Sequence, residues 1–134
     1  MRCLIVDDSP AFIEAARRLL ERQGITVVGV ASTSAEALQH YEELRPDVTL
    51  VDVYLGAESG FELAEQLHRS GWPTPPPVIL ISTHSENDFG KMIERSPAVG
   101  FLAKSALSQG AIRDLLSGGD DGDPGPPVSE PSER

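Results

Sequence analysis

The chain has 134 residues, 40% of them hydrophobic, which suits one compact domain with a buried core and leaves little room for a second. Its formal net charge of −10 should repel nucleic acid and anionic lipid, so we expect neither as a partner. No run of about 18 apolar residues is present, so we expect a cytoplasmic protein without membrane insertion.

In the first part of the chain, two short apolar runs alternate with two amphipathic stretches. The first run contains the only cysteine, Cys3, which we expect to be a buried small residue. Ser9 and Pro10 offer an N-cap and a first helical position, and Thr33 with Glu36 fits a capping box. The predicted order is a strand at residues 3–6, a helix up to Gly24, a strand at 26–31 and a helix from 33 to about 44.

The second part continues the alternation with three more apolar runs. Ser59 with Glu62 fits another capping box, four prolines stiffen the connector at residues 71–77, and Gly110 weakens the middle of the last predicted helix. The predicted order is a strand at 47–53, a helix from 59 to about 69, a strand at 78–81, a helix at about 86–95, a strand at 99–103 and a helix at about 105–116.

Five strands that alternate with five helices predict an α/β fold with a doubly wound, five-stranded parallel sheet. The segment that begins at Gly118 is rich in glycine, proline and acidic residues, and its one aliphatic residue is Val128. Such a segment cannot bury enough apolar surface to offset its ordering entropy. We therefore predict a folded domain at residues 1–117 and a disordered acidic tail at 118–134, which is inert or, as the alternative, a flexible interaction arm.

Polar side chains follow the predicted strands at the edge of the sheet where doubly wound folds place their sites. Taken singly, each has a simpler explanation as a turn residue, a helix cap or a surface lysine. Taken together, they would meet in one pocket. The set consists of Asp7 and Asp8 after the first strand, Asp52 at the third, Ser82 and Thr83 at the fourth, and Lys104 after the fifth.

Three carboxylates in one pocket repel each other unless a cation neutralises them, and Mg²⁺ prefers such oxygen ligands. With two acids on the metal, Asp52 would keep one oxygen free to attack phosphorus and form an acyl phosphate. Lys104 would share the phosphoryl charge, and Ser82 would donate a hydrogen bond to it. The residues themselves therefore predict Mg²⁺-dependent phosphoryl transfer to Asp52.

At these positions the sequence resembles the receiver domain of bacterial response regulators, over about residues 1–117. The shared pattern includes Gly60, eight residues after Asp52. The resemblance implies a flavodoxin-like (βα)5 sheet with strand order 2-1-3-4-5. The run LISTHSENDF, at residues 80–89, is similar to the subgroup whose receivers precede helix-turn-helix DNA-binding domains. Since no such output domain is expected here, the resemblance implies a stand-alone, single-domain response regulator.

The resemblance also implies a role for each site residue. Asp52 would receive the phosphoryl group from a sensor histidine kinase or a phosphotransfer protein, and Lys104 would pair with the phosphoryl oxygens. Ser82 and Phe101 would form the switch that reshapes the surface of the fourth helix, fifth strand and fifth helix for a downstream protein or a second copy. The implied metal ligands are the carboxylates of Asp7, Asp8 and Asp52 and the backbone carbonyl of Tyr54.

Two positions lack a proline that the family often has: Gly56, four residues after Asp52, and Ser105, directly after the lysine. The glycine predicts a more mobile loop at residues 54–60. The peptide at Ser105 must be held in some other way than by a cis proline.

Three further side chains bear on the lifetime of the phosphoryl group. In this family the positions of Tyr54 and His84 flank the path of the attacking water, and Thr83 stands where a small residue is usual. Their bulk predicts a phosphoryl group that lasts at least many minutes. The alternative is that Tyr54 only covers the rim of the pocket and His84 only caps the next helix.

Two other functions compete with this interpretation. A pseudo-receiver would be a binding module without phosphoryl chemistry, but it would have no need of the complete set of acids and lysine. A Mg²⁺ phosphatase with an aspartyl nucleophile would usually carry a second acid where this chain has Tyr54. A receiver is not an enzyme in this sense, since it catalyses only its own phosphorylation and dephosphorylation.

Overall fold

The structure, a computed structural model, describes residues 1–70, 73 and 75–118. Its elements alternate as predicted, with one addition, a two-stranded ribbon after the third strand. In chain order they are β1 (Arg2–Val6), α1 (Pro10–Arg22), β2 (Thr26–Ala31), α2 (Ser34–Leu44), β3 (Val48–Asp52), β4 (Tyr54–Leu55), β5 (Glu58–Ser59), α3 (Gly60–His68), β6 (Val78–Ser82), α4 (Gly90–Arg95), β7 (Gly100–Ala103) and α5 (Gln109–Gly118).

The main sheet is parallel throughout, with the order β2-β1-β3-β6-β7. When only these five strands are counted, the order is 2-1-3-4-5, so the predicted flavodoxin-like fold is confirmed. Val6 pairs with Val51, Asp52 with Ile81, and Ser82 with Ala103. This register brings the carboxyl ends of β1, β3, β6 and β7 to one edge, where the predicted polar residues follow.

Two clusters of apolar side chains cover the two faces of the sheet, which explains why the strands are apolar at consecutive positions. One face packs on α2 and α3 and includes Val51, Leu80 and Phe101; the other packs on α1 and α5. Cys3 is fully buried in the second cluster, and burial raises the pKa of its thiol to about 12. The thiol is therefore protonated and inert, as expected.

The predicted caps form at the starts of the first two helices. Ser9 Oγ accepts a hydrogen bond from the Phe12 amide at 3.3 Å, and α1 is followed by Gly24 with φ +95°. At α2, the Thr33 hydroxyl accepts from the Glu36 amide at 3.2 Å, but the Glu36 carboxylate accepts from the Ser32 amide at 2.9 Å. The half of the predicted capping box at the Thr33 hydroxyl is thus confirmed, whereas its reciprocal hydrogen bond is shifted by one residue, to Ser32.

The last two helices differ from the prediction. The stretch at 86–95 is a 3-10 turn, Glu86–Asp88, followed by α4, because Gly90, the first residue of α4, has φ +34°. The stretch at 105–116 begins with another 3-10 turn, Lys104–Ala106, and α5 starts only at Gln109. Gly110 therefore lies in the first turn of α5 and not in its middle.

The ribbon of β4 and β5 replaces the open loop that was predicted at 54–60. Tyr54 pairs with Ser59 and Leu55 with Glu58 around a two-residue turn. Gly56 opens this turn with φ +58°, which proline cannot adopt because its ring holds φ near −65°. Glycine in place of the family's usual proline therefore permits this turn. Greater mobility of the segment stays a prediction.

Close packing explains the glycine that begins α3. The Gly60 amide donates to the Val53 carbonyl at 2.8 Å, and a Cβ at Gly60 would collide with the Asp52 carbonyl oxygen. Position 60, eight residues after Asp52, must therefore be a glycine because its backbone packs directly against that of Asp52.

The predicted tail at 118–134 lies outside the described residues, apart from Gly118 at the end of α5, and the connector at 71–77 is described only in part. Among the residues that the structure describes, no helix is both long and apolar enough to cross a membrane.

Candidate functional site

Three carboxylates meet at the carboxyl edge of the sheet. Asp7 and Asp8 follow β1, and Asp52 is the last residue of β3. Each contributes one oxygen to a group in which all three lie within 4.8 Å of one another. Asp7 is fully buried and Asp52 is 6% exposed, whereas Asp8 faces solvent. The group therefore opens to solvent on the side of Asp8.

Lys104 lies in the same pocket, although it is far from the acids in sequence. Its Nζ is 2.6 Å from Asp7 Oδ2 and 3.4 Å from Asp52 Oδ2, and its side chain is only 13% exposed. The ammonium group also lies 4.4 Å from the centre of the Phe12 ring, at cation–π distance. Sequence reasoning missed this role of Phe12.

Backbone amides fix the orientation of two of the carboxylates. The Ser9 amide donates to Asp7 Oδ1 at 2.8 Å, and the Tyr54 amide donates to Asp52 Oδ1 at 3.3 Å. The Oδ2 atoms of both residues are left facing the lysine.

The pocket is short of positive charge. The pKa of Asp52 is raised to about 6, mainly by burial and also by the charge of Asp7, while the charge of Lys104 lowers it. Among the described residues, the buried Asp7 Oδ2 has no hydrogen-bond partner, and its charge is paired with the Lys104 ammonium at 2.6 Å. The negative charge of three carboxylates is thus opposed by one ammonium group, that of Lys104.

A hard divalent cation fits this set of donors. Mg²⁺ takes oxygen ligands, usually one or two carboxylates together with carbonyls and waters. The unsatisfied Asp7 Oδ2 and the exposed Asp8 carboxylate offer two such ligands beside Asp52. The donor chemistry of the pocket therefore agrees with the predicted metal site.

Ser82 ends β6 next to this pocket and is almost fully buried. Its Oγ accepts from the His84 amide at 3.0 Å and lies 3.5 Å from His84 Nδ1. Thr83 and His84 themselves are exposed. The alternative in which His84 caps the next helix is wrong, because Ser85 occupies the position before the next turn and its amide donates to the Asp88 carboxylate at 3.1 Å.

An aromatic cluster connects the rim of the pocket with the predicted switch residue. Phe89 lies at its centre, with its ring 5.8 Å from those of both Tyr54 and Phe101. The Tyr54 and His84 rings meet edge to face at 5.4 Å. Sequence reasoning gave Phe89 no role. A lone aromatic residue at the end of the polar stretch SEND was the available signal.

The chain is similar to proteins of one family. The sequence model described as the response regulator receiver domain matches residues 3–116. Response regulator UvrY of Escherichia coli is 33% identical over 119 residues, which cover 86% of this chain and 54% of UvrY. The DNA-binding transcriptional activator EvgA of the same species is 29% identical over 104 residues, or 78% of this chain and 50% of EvgA. The chain thus spans about half the length of these curated relatives.

Solved structures agree with the sequence comparison. The signal receiver domain of NarL from Mycobacterium tuberculosis superposes with a TM-score of 0.74 at 31% identity, covering 88% of this chain and 94% of that one. The response regulator domain of Thermotoga maritima CheB has a TM-score of 0.73 at 25% identity, covering 92% and 98%.

Proposed function

Because this chain belongs to the response regulator receiver family, we propose that it accepts a phosphoryl group on Asp52 with Mg²⁺ bound beside it and signals through protein contacts. The observation that carries this proposal is the convergence of Lys104 with three carboxylates in one pocket, within ion-pair distance of Asp7 and Asp52.

The proposed metal ligands are the carboxylates of Asp7, Asp8 and Asp52 and the backbone carbonyl of Tyr54. A bound Mg²⁺ would supply positive charge that neutralises the acids and polarises the phosphoryl oxygens. The Tyr54 amide holds Asp52 Oδ1 in place, and Asp52 Oδ2 faces the interior of the pocket with Lys104. One oxygen of Asp52 attacks phosphorus, the bond to the leaving group of the donor breaks, and the Lys104 ammonium pairs with the transferred oxygens.

The switch begins at Ser82. Phosphorylation adds about −1.5 to −2 charge to the pocket, which draws the Ser82 hydroxyl away from the His84 amide. The space that it leaves admits Phe101, whose ring packs on Phe89. The surface of α4, β7 and α5 then shifts between two packings of one fold. Exposed basic side chains on this surface, Lys91, Arg95 and Arg113, are available to a partner.

The proposed phosphodonor is a sensor histidine kinase or a phosphotransfer protein, and the proposed output is a downstream protein or a homodimer at the α4–β7–α5 surface. DNA binding is a property of EvgA, and the acidic charge of this chain argues against it here. We place the protein in the cytoplasm and assign it no turnover of other molecules. Its stand-alone, single-domain character stays a prediction of the sequence.

Intact mass spectrometry tests the proposal. After incubation with acetyl phosphate and Mg²⁺, the protein should gain the mass of one phosphoryl group, and neither Asp52→Asn nor the wild type in EDTA should gain it. No gain in the wild type would instead indicate the pseudo-receiver. Sustained hydrolysis of small phosphate esters would indicate the phosphatase.

A further inference from the structure

A side chain of the β4–β5 ribbon reaches a helix in another part of the fold. Glu58 on β5 accepts a hydrogen bond from the Ser34 amide at 2.8 Å. Ser34 is the first residue of α2, where amides have no partner within the helix. The Thr33 hydroxyl satisfies the Glu36 amide of the same turn. Glu58 is therefore a second cap of α2, supplied by the ribbon.

The same ribbon borders the proposed metal site. Tyr54, whose carbonyl is a proposed ligand, pairs with Ser59 on the strand that carries Glu58. At the turn, a Cβ on Gly56 would lie 3.6 Å from Asp8 Oδ2. Two strands of two residues each are too short to be stable alone, so the ribbon depends on contacts at its ends.

We propose that Glu58 is a positioning residue for the metal site. The Glu58 carboxylate joins the ribbon to α2 and thereby keeps the Tyr54 backbone next to Asp8 and Asp52. Because this segment is already ordered, its ordering entropy does not reduce the free energy of metal binding. The proposal rests on the proposed function, since it requires Mg²⁺ to bind there. Because coupling between two equilibria is reciprocal, bound Mg²⁺ should also protect the Ser34 amide from exchange.

Mg²⁺ titrations of the whole protein, followed by the amide chemical shifts of the site, test the proposal with three variants. Glu58→Ala removes the tether and should weaken Mg²⁺ binding by about tenfold. Glu58→Gln removes the charge but keeps an oxygen that can accept from Ser34, so its affinity should stay within about threefold of the wild type. Thr33→Ala is the matched control, because it also removes one hydrogen bond from the first turn of α2 but leaves the ribbon intact.

The outcomes separate the tether from its alternatives. Equal loss of affinity in Glu58→Ala and Thr33→Ala would assign the effect to the helix, and equal loss in Glu58→Gln and Glu58→Ala would assign it to charge; either overturns the proposal. Hydrogen exchange supplies a second readout, in which Mg²⁺ should slow exchange at Ser34 in the wild type but not in Glu58→Ala. A wild type that binds no Mg²⁺ would contradict the proposed function itself, whereas unchanged binding in Glu58→Ala would contradict only the tether.

Discussion

At the scale of single residues, the pocket combines groups that are costly to bury. Asp7 and Asp52 share one ammonium group, and one oxygen of Asp7 is buried without a hydrogen bond. Such an arrangement destabilises the metal-free fold and favours a cation that binds it. The electrostatic repulsion in the site therefore lowers the stability of the metal-free fold, and a bound cation would reduce this repulsion.

Removing the charge of Asp52 should stabilise the metal-free protein at neutral pH. A carboxyl whose pKa rises from 3.8 to about 6 on folding binds protons more readily in the native state, so its penalty grows as pH rises and is complete above 6. Asp52→Asn should raise the free energy of unfolding at pH 7.5 by about 2 to 3 kcal/mol in EDTA, with less gain as pH falls toward 4. Urea denaturation at several pH values measures this.

Asp114→Asn, at an exposed position of α5, is the matched control and should change the free energy of unfolding by less than about 0.5 kcal/mol. A gain from Asp52→Asn that does not vary with pH would contradict the role of charge.

The side chains over the rim should control the lifetime of the phosphoryl group. Tyr54 and His84 meet edge to face at 5.4 Å, and the family resemblance implies that they flank the path of the attacking water. The wild-type phosphoryl group should last at least many minutes, and Tyr54→Ala and His84→Ala should each shorten its half-life several-fold. Intact mass measured over time after removal of acetyl phosphate follows the loss; Met92→Ala, on the exposed side of α4, serves as control. Loss within seconds from the wild type would contradict the prediction.

At the scale of elements, the ribbon of β4 and β5 is the feature in which this chain departs most from the expected loop. Its turn places Gly56 at φ +58°, where a residue with a side chain is strained and proline is excluded. The ribbon is joined to α2 by Glu58 and to α3 by Ser59, whose hydroxyl accepts from the Phe61 amide at 3.2 Å. Its conformation is therefore set by its own turn and by two neighbouring helices.

Introducing the proline that is usual in the family should harm this chain. Gly56→Pro should lower the free energy of unfolding by about 1 to 3 kcal/mol, because its φ cannot fit the turn. Gly56→Asn should cost less than about 1 kcal/mol, since asparagine tolerates the left-handed region. Chemical denaturation of both variants measures the difference, and a proline variant as stable as the wild type would show that the turn is not required.

At the scale of the whole molecule, the two faces of the sheet and its carboxyl edge have different roles. Both faces are buried under helices and supply stability, while the carboxyl edge collects the charged groups. Metal binding at this edge should therefore stabilise the entire domain, because the site does not exist in the unfolded chain.

Mg²⁺ at a hundredfold excess over its dissociation constant should raise the free energy of unfolding by about 2.7 kcal/mol. Asp8→Asn should abolish this gain but cost little without metal, because Asp8 is exposed. Thermal or urea unfolding with Mg²⁺ and with EDTA provides the measurement. Equal stabilisation of wild type and Asp8→Asn would show that Mg²⁺ binds elsewhere.

The strands of the sheet and the polar residues at its carboxyl edge could be predicted from the sequence. Buried parallel strands are continuous apolar runs, and their carboxyl ends must converge, so the meeting of Asp7, Asp52 and Lys104 followed from pattern and topology. The cap at Ser9 was also predictable, because a side chain that bonds an amide three residues away depends on local sequence alone.

The features that depend on contacts between distant segments could not be predicted from the sequence and are visible only in the tertiary structure. The tether from Glu58 to Ser34 and the aromatic cluster at Phe89 join residues whose separation in sequence carries no periodic signal. The late start of α5 belongs with these, since the Gln109 amide donates to the side chain of Gln23 at 2.6 Å. Local patterns predict elements and their ends, but the partners of a side chain across the fold are known only when the elements are packed.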